Sequence, residues 1–102
     1  MIRRDTDGIL RVEAPMTLEN SCLLLLAGET ALQTALQAGD KECILELSGV
    51  AGVDSSGLAV LLAWQRFCRA RDAWLCLAGA PENLRSLADL YGLNPLFEWT
   101  RA

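Results

Sequence analysis

Histidine is absent from this chain of 102 residues, and lysine occurs once, at Lys41. Without histidine, Ser-His-Asp and Cys-His arrangements are excluded within the chain. A metal site would also lack one of its commonest ligands. No G-x-x-x-x-G-K-[ST] occurs, so there is no P-loop, and there is no G-x-G-x-x-G dinucleotide fingerprint. Gly52-Val53-Asp54-Ser55-Ser56-Gly57 has glycines flanking a serine but is not G-x-S-x-G. The acids are scattered, with no evident pair for general acid–base work. These absences predict a protein that is not an enzyme and that uses no metal and no cofactor.

A basic run is missing too. The net charge is −4 and the isoelectric point about 4.6. That balance argues against nucleic acid or an anionic lipid surface as partner. The longest apolar runs, Cys22 to Ala27 and Leu58 to Trp64, fall well short of the ~18 residues a membrane span needs. Met1 to Gly8 carries two arginines but no apolar core of a signal peptide. A cytoplasmic address without direct membrane insertion is the expectation. Cys22, Cys43, Cys68 and Cys76 form no C-x-x-C pair and lie in apolar segments. They predict buried free thiols in a reducing compartment.

What is present suits one α/β domain over residues 1–102: 52% apolar and 22% charged residues can build a soluble core. Ile9 to Glu13 reads as a short strand after a Gly8 turn, available to pair with Ile2-Arg3-Arg4. After the break at Ala14-Pro15-Met16, Thr17 is the expected N-cap of a helix from Leu18 to about Ala38. Its expected core stripe is Leu18, Cys22, Leu25, Leu32 and Leu36, interrupted by Glu29. Cys43 to Leu47 and Ala73 to Ala78 are strands whose apolar runs suit cover on both faces. A second helix is expected from Ser56 to about Arg71. A third, Pro81 to Tyr91, has Leu84, Leu87, Ala88 and Tyr91 on one side. Leu96 to Trp99 closes the chain as a short strand or extended tail. The order β-β-α-β-α-β-α-β implies a mixed sheet.

Asp54-Ser55-Ser56-Gly57-Leu58 stands where the strand hands over to the second helix. A helix start offers unpaired N–H groups and the positive end of the dipole. Ser55 there is a candidate N-cap, contact residue or phosphoacceptor. Asp54 complements the dipole or assists a kinase reaction, and Gly57 permits close backbone approach or relieves crowding. On the helix itself, Val60, Leu61, Trp64, Phe67 and Cys68 share the expected core face, with Gln65, Arg66 and Arg69 opposite. Leu58 and Leu62 fall among those polar residues. Leu58, Leu62, Gln65, Arg66 and Arg69 are therefore the candidate partner surface, set against the ordinary alternative of single exposed leucines. Of Trp64, Trp74 and Trp99, the last is expected to be the most exposed.

Val53 to Leu62, and the order of elements from about Ile9 to Phe97, resemble the STAS domain family, the anti-sigma-factor antagonist fold. The resemblance implies a single domain with a mixed sheet of about four to five strands and helices mainly on one face. It implies a protein partner, an anti-sigma kinase, that phosphorylates Ser55. Ala14-Pro15-Met16-Thr17 and Leu87 to Leu93 further resemble the small cytosolic MlaB-like STAS subunit of Mla-type phospholipid ABC transporters. That branch implies docking on the transporter's ATPase subunit, hence a place peripheral to the inner membrane, in a complex that maintains outer-membrane lipid asymmetry. Ser56 departs from it, standing where some members carry glycine. A third reading, drawn from other STAS relatives, is a small-ligand or nucleotide binder using the start of the second helix as an anion site.

Overall fold

Residues 1–100 are described by a computed structural model. Two short strands open the chain: β1 (Ile2–Arg4) and β2 (Leu10–Val12), antiparallel with Ile2 opposite Val12. There follow α1 (Ser21–Gln37), β3 (Glu42–Glu46), α2 (Ser55–Arg69), β4 (Trp74–Ala78) and α3 (Glu82–Leu90). A 3-10 turn (Asn94–Leu96) then leads into β5 (Glu98–Thr100). The five strands lie in the order β1-β2-β3-β4-β5, parallel from β2 onward. Each parallel step crosses over through a helix or helical segment. Right-handed crossovers that always advance in one direction put their helices on the same side of the sheet.

Alternation along the strands decides what the helices cover. Leu10, Leu45, Leu77 and Trp99 stand in register across β2 to β5. The three leucines are fully buried and Trp99 packs against the core from the rim. The neighbouring row, Arg11, Glu46, Ala78 and Thr100, lies on the opposite face. On that face Ile44 and Cys76 are only half-buried and Trp74 is exposed. The strands expected to be covered on both sides are thus covered on one. An apolar run in a central strand signalled a strand centre, not a second layer. Trp74, not Trp99, is the exposed tryptophan; the Arg69 guanidinium lies 5.5 Å from its ring centroid.

α1 begins three residues later than expected. Thr17 to Asn20 form a turn, with Asn20 N–H donating to the Thr17 carbonyl at 3.0 Å. The buried stripe is also rotated: Leu24, Gly28, Leu32 and Ala35 face inward, whereas Leu18 and Cys22 are exposed. The cause is Gly28. A Cβ there would overlap the Trp64 indole, so the glycine is the centre of the α1–α2 contact. Trp64 is fully buried, and its Nε1–H donates to the Leu25 carbonyl at 3.2 Å. A pattern that counts only large apolar residues cannot see such a contact. Tyr91 is exposed too, outside the α3 core stripe of Leu84 and Ala88.

All four cysteines are free, but only Cys43 and Cys68 are buried; Cys76 is intermediate and Cys22 exposed. The two buried thiols act on each other, which holds Cys43 below and pushes Cys68 well above the usual thiol range. Among the described residues no helix is long and apolar enough to cross a membrane.

Candidate functional site

Beyond β3, the chain turns at Leu47 to Val50 and runs alongside the loop before α1. Val53 and Met16 form a parallel bridge. Met16 N–H donates to the Gly52 carbonyl at 2.7 Å, and Asp54 N–H to the Met16 carbonyl at 3.2 Å. The motif therefore sits on a backbone ledge tied to the first helix's approach loop.

Asp54 is the N-cap of α2, a position expected for Ser55. Its backbone is extended, and its Oδ1 accepts from Ser56 N–H at 2.8 Å. Its Oδ2 accepts from Leu18 N–H at 3.0 Å. Those donors, Leu18 N–H foremost, hold its carboxyl below the usual carboxylate range. The Gly57 N–H donates to the Asp54 carbonyl at 3.0 Å. The early N–H groups of Ser56 and Gly57 are thus taken by Asp54 itself. The anion position that a bound phosphate would use at this helix start is occupied by the protein's own carboxylate.

Gly57 is buried beneath this corner. A Cβ there would overlap the Met16 carbonyl oxygen and lie 2.8 Å from Val53 Cγ2. Close approach within the protein is its function. Ser55, one residue past the cap, is exposed, and its hydroxyl makes no side-chain hydrogen bond among the described residues. Ser56 is half-buried and lines a largely apolar groove of about 250 Å³ between α1 and α2, with Cys22, Leu25, Ala59 and Ala63.

Of the five residues expected to form a partner surface, two are buried. Leu58 is 2% exposed and Gln65 8%. α2 touches β4 below, α1 on one flank and α3 on the other, so its buried arc is wider than a single helical face. Gln65 is satisfied inside by donating through Nε2 to the Leu96 carbonyl. Leu62 is half-buried, while Arg66 and Arg69 are exposed. Spacings of four and three residues align Ser55, Ala59, Leu62, Arg66 and Arg69 as one outward ridge. On its far side a second groove, of about 400 Å³, lies between α2 and the 3-10 turn, closed by Pro95 and Leu96. Ala59 and Pro95 were not picked out as surface residues, because a small side chain and a turn look inert until a helix is placed beside them. Leu96, read as the start of the last strand, lies in the 3-10 turn instead, and β5 starts at Glu98.

Among the described residues no group of three His, Cys, Asp or Glu side chains is placed to hold a metal ion. What the site offers is a corner with the exposed Ser55 hydroxyl, a ridge and two grooves.

Comparison with curated proteins finds no match. The fold is similar to that of a proposed anti-sigma factor antagonist from Thermotoga maritima, with a TM-score of 0.73 at 17% identity over 100% of this chain and 86% of that one. It is also similar to the anti-sigma factor antagonist SpoIIAA in its unphosphorylated form, with a TM-score of 0.67 at 15% identity over 100% and 87% of the two chains. The Bacillus cell fate determinant SpoIIAA in its phosphorylated form gives a TM-score of 0.65 at 18% identity over 98% and 89%. The family model described as "Mlab, STAS domain" matches residues 4–98, so the ledge, the ridge and the three inner strands just described lie within it, and the chain belongs to the STAS domain family.

Proposed function

We propose that this chain is a non-catalytic protein-docking STAS module whose docking face is the α2 ridge from Ser55 to Arg69. Its partner in this reading is the ATPase subunit of a phospholipid-transporting ABC complex of the Mla type. The chain is then a cytoplasmic accessory subunit, held at the inner membrane by the transporter. The family model's description supports the transporter assignment. The observation that carries the docking reading is Ser55: exposed and unbonded, on a corner that Asp54 and Gly57 hold rigid. A preorganised corner lowers the ordering cost of association.

Co-purification of the tagged chain with the Mla-type ATPase of the same organism tests it. The wild type should retain the ATPase, and Leu62→Asp should lose most of it while keeping the wild-type circular dichroism. No retention by the wild type overturns the transporter assignment. Unchanged retention by Leu62→Asp overturns the ridge.

The second reading is an anti-sigma factor antagonist switched at Ser55. It is favoured by the free hydroxyl and by likeness to a fold neighbour described in a phosphorylated form. A phosphate there would add about −1.5 to −2 charges beside the Asp54 carboxylate and change the docking corner without refolding it. Incubation with ATP and an anti-sigma kinase should then place one phosphate on Ser55 by mass spectrometry, and none on Ser55→Ala.

A further inference from the structure

The described arginines differ in their partners. Those of the opening hairpin are neutralised: Arg3 pairs with Asp5 and Glu13, Arg4 with Asp40, and Arg11 with Asp5 and Glu46. Arg66, Arg69, Arg71 and Arg85 have no carboxylate within ion-pair distance among the described residues. Arg71 and Arg85 lie over the Phe67 and Trp99 rings, and Arg69 reaches the Trp74 ring. Of these four, Arg66 and Arg69, in the last turn of α2, are the two that border a groove. Both are exposed, and both line the groove that Leu62, Gln65, Pro95 and Leu96 complete. The floor is apolar: Leu62 is half-buried, and Leu96 is 51% exposed. Gln65 pins the Leu96 carbonyl, so the wall stands ready before a partner arrives. At about 400 Å³ the groove falls within the size range of sites that take apolar groups.

The sign of the rim is opposite to that of the whole molecule, which carries −4. An acidic partner is repelled by the protein at large and attracted here. Such a contrast sets orientation and speeds encounter. A basic partner would meet the reverse and be steered elsewhere.

We propose that this groove takes an acidic amphipathic segment of the protein partner. One apolar side chain seats between Leu62 and Leu96, and carboxylates about one turn away meet Arg66 and Arg69. This inference rests on the docking reading and names the chemistry of the partner's contact segment.

The probe is a fluorescent helical peptide with two leucines one turn apart followed by glutamates, compared with a counterpart bearing lysines in place of the glutamates. The glutamate peptide should bind the wild type and weaken at high salt. Arg66→Glu combined with Arg69→Glu should weaken it about tenfold, two exposed charge reversals being worth roughly that. The lysine peptide should prefer this double variant. Both arginines are exposed, so the variant's circular dichroism should match the wild type. Its melting should fall by only a few degrees, because two acids replace two bases in the last turn of α2. Equal binding of the two peptides by the wild type, no binding of either, or indifference to the double variant overturns the inference. So does a wild-type dimer, seen by light scattering, that the double variant disperses, because the groove then takes a second copy. The ATPase co-purification separates the two failures. Retention lost with Leu62→Asp but not with the arginine variant sinks the acidic segment and leaves docking standing. No retention by the wild type sinks the transporter reading, and the peptide pair still decides the groove.

Discussion

The Asp54 carboxylate bonds the start of α2 and the turn ahead of α1, and the two helices begin by different means. α2 is capped by that carboxylate through Ser56 N–H. α1 follows Asn20, which makes no side-chain cap bond, and the turn ahead of it is held by Asp54 through Leu18 N–H. One carboxylate thus starts its own helix and anchors the approach to another. The start of α2 is self-sufficient, whereas that of α1 is borrowed. This is why the corner that carries Ser55 is tied to the approach of both helices through Asp54.

Substitutions that drive the two starts apart should have the largest effect. Gly57→Val pushes a branched side chain into the Met16 carbonyl, against backbone that cannot yield. A loss of about 3 kcal/mol or more in urea unfolding is expected, at the upper end of overpacking costs. Gly28→Ala strikes the α1–α2 contact away from the starts, where the Trp64 ring must move. It should cost about 2 kcal/mol and shift the tryptophan emission to the red. If Gly28→Ala proves the worse of the two, the helices are organised by their middles rather than by the Asp54 corner.

Asp54→Ala should come next, with a fall of several degrees in Tm and loss of hydrogen-exchange protection at the Leu18 and Ser56 amides. The pH dependence has a definite sign. The folded carboxyl titrates below its unfolded value. Its stabilisation is therefore complete above the ordinary carboxylate pKa of about 3.9 and is lost as pH falls through the lower folded value. The gap in stability between wild type and Asp54→Asn should close over that interval and stay constant from pH 5 upward.

Asn20→Ala should matter least among the helix starts. Among the described residues its side chain donates only to the Pro15 carbonyl, at 2.9 Å, so the expected loss is about 0.5–1 kcal/mol by urea unfolding. Ser55→Ala should leave stability within about 0.5 kcal/mol, since the hydroxyl holds nothing in place. A large loss from Asn20→Ala would contradict the borrowed start of α1.

The element order and the strand-to-helix motif were legible because they rest on local signals. Gly8, Gly39-Asp40, Arg71-Asp72 and Gly79-Ala80-Pro81 punctuate the chain, and the turns fall there. The hairpin pairing of β1 with β2 was readable for the same reason. The face of each helix was less so. In α1 the inward stripe passes through Gly28, which no hydrophobic count selects. In α2 the buried arc took Leu58 and Gln65 because three elements surround the helix, a number no periodicity contains. The candidate surface lost those two residues and kept Leu62, Arg66 and Arg69, now with Leu96 as a neighbour across the groove.

By itself, the sequence determined an acidic α/β domain without histidine, built around Asp54-Ser55-Ser56-Gly57 at the start of a helix. Composition and turn residues act over a few positions, and that is enough for elements and motif. Only the tertiary structure decided that Asp54, not Ser55, caps the helix, and that Gly57 and Gly28 are contacts. It also decided that two arginines border an apolar groove without a carboxylate of their own among the described residues. Each of these depends on a neighbour distant in sequence: Leu18, Met16, Trp64 or Leu96. Burial and charge pairing are properties of such neighbours, and a one-dimensional pattern does not contain them.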